Sequence, residues 1–128
     1  MLELTRPPAA DPLALYRYRD GLYAVDLLNA ALVHIDFFTW LAAHPSDKAT
    51  ICHELQLAER PADVMLTLFA ANGFIRAEHG VFHVTPVARE FLVAGSPWFM
   101  GPYYASLKDR PVALDMVKVL RTGKPANW

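Results

Sequence analysis

From Gly21 to Ala43 the chain carries its longest helical stretch, and the apolar residues there cover more of a helix than one neighbour can hide. Ala24, Leu27, Leu28, Ala31, Leu32, Ile35, Phe38 and Ala42 recur at helical spacing, while Leu22, Val25, Val33, Phe37 and Trp40 fill much of the remaining circumference. Asp26, Asn29 and Asp36 are the polar positions, expected to stay in water. Such a helix needs cover on two sides. A chain of 128 residues supplies one side easily and the other with difficulty, so the second cover is expected to be another copy of the chain. The alternative is that the later helices wrap it completely within one monomer.

Hydrophobic residues make up 54% of the chain and aromatics 12%, enough for a core with apolar surface left for a partner. Asp26, Asn29, His34 and Asp36 interrupt the richest stretch, so no run reaches the roughly 18 uninterrupted apolar residues that a membrane-spanning helix needs. Residues 1–12 carry Glu3, Arg6 and three prolines in place of a basic end and an apolar block. No secretory signal is read, and a cytoplasmic location is expected. A net charge of -1 leaves no electrostatic footprint for nucleic acid or an anionic membrane. Cys52 is the only cysteine, which excludes an intrachain disulfide and a thiolate metal cluster and suits a small core residue.

After a lead over residues 1–12, one domain is expected over 13–128. A first helix is read through Leu13 to Arg19, then the long one to Ala43. A short helix runs from about Thr50 to Leu57, with Thr50 as a possible cap and an earlier start allowed because His53 does not complete a capping box. Pro61 suits the first position of a third helix that Gly73 stops. Phe74–Ala77 and Val81–Val84 then flank Glu78-His79-Gly80 as a β-hairpin. Thr85-Pro86 opens a helix through Ala88, Phe91 and Leu92, an aromatic loop covers Pro97 to Tyr104, and a last helix around Val112 to Leu120 ends at Gly123. The fold expected is mainly α, a winged helix-turn-helix with a small β-hairpin and an N-terminal dimerisation helix.

Five local strings occur in an order that resembles one family. They are Phe38-Thr39-Trp40-Leu41, then His53-Glu54-Leu55, then Leu66 to Phe74 with Gly73, then Val84-Thr85-Pro86-Val87-Ala88-Arg89-Glu90-Phe91-Leu92, and finally Leu120-Arg121-Thr122-Gly123-Lys124-Pro125. Over roughly residues 14 to 126 the chain resembles the winged-helix dimerisation domain that precedes the catalytic domain of small-molecule O-methyltransferases dependent on S-adenosylmethionine. The resemblance implies a homodimer that helps wall the pocket of a catalytic methyltransferase domain, with a small aromatic or polyketide-like substrate. It also implies that the cofactor binds a Rossmann-like domain outside this chain, which ends at Trp128 before any such strand. No cofactor, catalytic or metal residue is therefore assigned here, and the chain alone is expected to be non-catalytic.

General acid-base chemistry would draw on His34, His44, His53, His79 and His83, which are scattered. His79 and His83 lie across a hairpin turn, where a four-residue spacing does not place both rings on one face. A winged helix also suggests a DNA-binding transcriptional regulator, the rival from another class. Here the core side of the third helix is read as Val64, Met65, Leu68, Phe69 and Asn72, leaving Ala62, Asp63, Leu66, Thr67 and Ala70 outward without a lysine or arginine. Phosphate contacts need cations, so that reading is set second and no nucleic acid is expected. It would gain ground if two monomers brought Arg60, Arg76 and Arg89 onto one surface. The candidate interface or substrate wall comprises Tyr16, Tyr23, Val25, Leu28, Leu32, Phe37, Trp98, Phe99, Met100 and Tyr103. The alternative for each is ordinary core packing.

Overall fold

The structure, a computed structural model, describes residues 6–12, 15 and 24–124. The first expected helix apart from Leu15, together with Tyr16, Tyr23 and Pro125, lies outside the described residues. Helix α1 is described over Ala24–Ile35 and α2 over Phe37–Ala43, and the two meet at a bend of 61°. This corrects the single long helix read from the sequence. Ala30–Ile35 is wound as a π-helix, and Asp36 then takes a left-handed conformation with φ 61°, its N–H bonded to the carbonyl of Ala31. Aspartate tolerates that region better than most residues, which is why the chain can turn here without a glycine.

The expectation that Asp26 and Asn29 stay in water also fails. Every residue from Asp26 to Leu32 is buried, Asp26 at 2% and Asn29 at 0% exposure. Cover for this stretch comes from within the chain, as α2, a short helix over Gly101–Ala105 (α6) and the last helix over Pro111–Thr122 (α7) pack against it.

The winged helix follows the expected order. α3 spans Lys48–Leu55 and begins two residues before Thr50, since Asp47 is its cap and accepts from the Thr50 N–H at 2.8 Å. That bond holds the Asp47 carboxyl below its usual pKa. A lowered carboxyl stabilises the fold once ionised, so its contribution is complete above the ordinary carboxylate range and fades as the pH falls through it. Asp47→Ala is expected to lower Tm by a few degrees at neutral pH and by progressively less as the pH falls below the ordinary carboxylate range, in thermal melts across that series.

α4 spans Glu59–Ala71. It starts two residues before Pro61, and its buried row is Ala62, Met65, Leu66 and Phe69. Ala62 and Leu66 had been read as outward and Val64 and Asn72 as inward, and both pairs are reversed. The buried set follows the i, i+3, i+4, i+7 pattern of one helix face. The turn between α3 and α4 is held from outside: the Ala58 N–H donates to the Leu120 carbonyl at 2.7 Å, and Arg121 donates to the carbonyls of Leu55 and Gln56.

The wing is an antiparallel pair, β1 (Ile75–Glu78) and β2 (Val81–Val84), in the register Ile75 to Val84 and Glu78 to Val81. His79 and Gly80 both have positive φ, 51° and 79°, as the two-residue type I′ turn requires. Ser46 adds a bridge to the outer edge through Phe82 N–H at 2.8 Å. α5 (Pro86–Phe91) opens on Thr85, whose hydroxyl donates to the Gly73 carbonyl at 2.7 Å and accepts from Ala88 N–H at 3.4 Å. The expected aromatic loop contains a further short helix, α6 (Gly101–Ala105), and α7 runs over Pro111–Thr122 to Gly123 at φ 70°.

At the centre lie four rings. Phe38 packs 5.0 Å from Phe37 and 5.0 Å from Phe69, and Phe74 closes the group 6.2 Å from Phe69. They join α2, α4 and the start of the wing. No single described helix is long and apolar enough to cross a membrane, and the bent pair α1 and α2 forms part of this core.

Candidate functional site

Three polar contacts tie α1 to α6 and to the segment that joins α6 and α7. The Arg110 Nη2 donates to Asp26 Oδ2 at 3.3 Å, and its Nε lies 3.1 Å from Oδ1 as an ion pair. Asn29 Nδ2 donates to the Tyr104 carbonyl at 2.6 Å, and His34 Nε2 donates to the Lys108 carbonyl at 2.8 Å. All three acceptors or donors on α1 are spaced so that successive turns face the same neighbour. Sequence reasoning missed this seam because its partners lie more than seventy residues away; a signal was present in two polar residues on an otherwise apolar helix.

The seam holds an aromatic surface in place. Phe99 and Met100 are half-buried, and Met100 N–H donates to the Phe91 carbonyl at 2.8 Å. Gly101 follows because a Cβ there would overlap the Phe99 ring. Trp98 and Tyr103 project outward at 65% and 69% exposure, with Tyr103 set edge-on to Tyr104 at 5.6 Å.

The ten sequence candidates therefore separate. Leu28, Leu32 and Phe37 are buried within the chain. Val25 is exposed, Trp98 and Tyr103 are the most exposed, and Phe99 and Met100 are half-buried. Tyr16 and Tyr23 fall outside the described residues. Sequence reasoning also missed a second apolar surface, a groove of about 370 Å³ lined by Leu27 of α1, Pro61 and Val64 of α4, and Met116, Val119 and Leu120 of α7, with Arg60 and Lys124 at its rim.

On the face that a DNA reader would present, Lys48 and Arg76 are already engaged, while Arg60 has no carboxylate partner among the described residues. Lys48 lies 3.5 Å from Glu59 and 3.6 Å from Asp63, and the two carboxylates, Asp63 foremost, hold its ammonium above the usual lysine range. On the wing, Arg76 pairs with Glu78 at 2.7 Å and that hydrogen bond holds the Glu78 carboxyl below its ordinary pKa. Each neutralised cation has little left to offer a phosphate. Among the described residues no three histidine, cysteine or acidic side chains gather as metal ligands. His83 meets only Glu78, at 4.0 Å, and His79 sits in the exposed turn.

The comparisons with known proteins agree with the strings read from the sequence. No protein-family model matches the chain. It is 30% identical over 125 residues to 3-hydroxy-5-methyl-1-naphthoate 3-O-methyltransferase of Streptomyces sahachiroi, an alignment that covers 96% of this chain and 36% of that protein. Its fold matches an O-methyltransferase family 2 protein from Planctomyces limnophilus, solved in complex with apigenin, at a TM-score of 0.86 and 28% identity over 91% of this chain and 35% of that one. Human N-acetylserotonin methyltransferase, solved with S-adenosylmethionine, shares the fold at a TM-score of 0.68 and 16% identity, covering 84% of this chain and 33% of that chain. The chain thus spans about a third of the length of the methyltransferases it matches.

Proposed function

We propose that this chain, a relative of the small-molecule O-methyltransferases along about a third of their length, is the dimerisation and pocket-shaping module of an enzyme that uses S-adenosylmethionine. The observation that carries the reading is the TM-score of 0.86 to an O-methyltransferase at 28% identity, obtained with almost the whole of this chain and only 35% of the other. The module is non-catalytic alone and works through surfaces. Its partners are a second copy of itself and a catalytic methyltransferase domain, and its setting is the cytoplasm.

The exposed aromatic pair Trp98 and Tyr103, with Val25, supplies apolar surface for those contacts. A small aromatic or polyketide-like acceptor is the substrate class, supported by the naphthoate in the relative's name and the apigenin bound to the structural neighbour. S-adenosylmethionine supplies the methyl group when bound, and its place in this proposal is the catalytic domain. Gly73, Gly80, Gly95 and Gly123, the glycines at positive φ, close helices or turns, and none leads from a strand into a helix. No step of methyl transfer is assigned to these residues.

Light scattering coupled to size exclusion, run across a dilution series, tests the reading. The expected result is a species of about twice 14.3 kDa that persists at micromolar concentration. A monodisperse 14.3 kDa species at every concentration would remove dimerisation from the proposal.

A further inference from the structure

The groove between α1, α4 and α7 combines two properties that the rest of the described surface does not bring together. Its floor is hydrocarbon: Leu27, Pro61, Val64, Met116, Val119 and Leu120. Val64 is 59% exposed there, on the side of α4 away from its buried row of Ala62, Met65, Leu66 and Phe69. The volume of about 370 Å³ lies in the range of pockets that enclose small molecules. Met116 gives one wall a flexible side chain that can adapt to a planar guest.

The rim is cationic. Arg60 and Lys124 flank the groove, and among the described residues neither side chain has a carboxylate partner. The acids nearest Arg60 in sequence, Glu59 and Asp63, are engaged by Lys48. No acidic side chain among the described residues lines the groove. An apolar slot with two uncompensated cations at its edge complements a molecule with a flat hydrocarbon body and one anionic end. Arginine is suited to that end because its planar fork meets a carboxylate with two parallel hydrogen bonds.

We propose that this groove is a binding site for small, flat apolar carboxylates, with the ring system on Leu27, Val64 and Val119 and the carboxylate between Arg60 and Lys124. An uncharged twin of the same shape would keep the hydrocarbon contacts and lose the charged ones. The chain should therefore distinguish the two by about tenfold or more, the effect of one charge-assisted contact.

The test is a titration of the 128-residue chain with 2-naphthoate and with 2-naphthamide, followed by amide chemical shifts. Support consists of saturable shifts at Leu27, Val64, Val119 and Lys124, at least about tenfold weaker binding of the amide, and loss of that preference in the double variant Arg60→Ala, Lys124→Ala. Val64→Glu, at an exposed position that a thermal melt shows to be tolerated, should abolish naphthoate binding by placing a like charge in the slot. Several outcomes would overturn the proposal: no saturable shift at millimolar ligand, equal affinity for the two probes, or shifts centred on Trp98 and Tyr103. Groove shifts that follow protein concentration without ligand would also overturn it, since they would make a second copy the occupant.

Discussion

Phe38→Ala is expected to destabilise the chain by about 3–5 kcal/mol, the usual cost of removing a fully buried phenylalanine. Phe38 is completely buried and touches rings from three parts of the fold: Phe37 beside it at 5.0 Å, Phe69 of α4 at 5.0 Å, and Phe74 before β1 at 6.4 Å. Truncation would leave a cavity that three separate elements must collapse into, and the 61° bend just before α2 limits how far α2 can move. A domain of this size has only about 5–15 kcal/mol of total stability, so the variant should be partly unfolded at 37 °C. Urea unfolding followed by circular dichroism measures the loss. Trp98→Ala serves as the contrast. At 65% exposure it should change stability by no more than about 0.5 kcal/mol, and any effect on association would then be read free of unfolding. If Phe38→Ala unfolds at the urea concentration of the parent, the four rings are not the centre of the core.

The parts of the fold that were legible in the sequence were those marked by local backbone chemistry. Thr85 before Pro86, Gly80 after His79, and Gly123 after α7 each specify a cap or turn that depends on adjacent residues alone, and each is found in place. The misread features depend on distant partners. α4 turns a different face inward from the expected one, Ala62 and Leu66 in place of Val64 and Asn72, because apolar residues occur on both faces of this short helix and periodicity alone fits either. Asp36 broke a helix whose apolar pattern continues on both sides of it, because periodicity records which residues want burial and not whether the backbone stays straight. Of the candidate surface, Trp98 and Tyr103 were legible as aromatics beside prolines in a loop. The groove was not, since its residues come from three helices that only the tertiary fold brings together. Leu28, Leu32 and Phe37, read as candidates for an interface or substrate wall with core packing as the alternative, are buried under cover from within the chain. α2, α6 and α7 supply that cover.

Arg110→Ala should cost about 2 kcal/mol, more than an exposed ion pair would, because of what it leaves behind. Asp26 is 2% exposed, and without the guanidinium its carboxylate has no counter-ion among the described residues. Arg110 itself is 46% exposed along its side chain, so the reverse change is milder. Asp26→Ala frees an arginine that can turn into water, at a cost of about 1 kcal/mol. The double variant Asp26→Leu, Arg110→Leu replaces the pair by hydrocarbon and is expected to be more stable than Arg110→Ala alone, since a buried charge is worse unpaired than absent. Urea midpoints of the parent and three variants give the comparison. Hydrogen exchange adds a readout that stability alone does not: with the seam cut at Arg110, amides of residues 101–110 should exchange faster than those of β1 and β2, because Asn29 and His34 are then the only side chains described as holding that segment to α1. An Arg110→Ala variant as stable as the parent, with residues 101–110 equally protected, would show that the Asp26 pair does not position the aromatic surface.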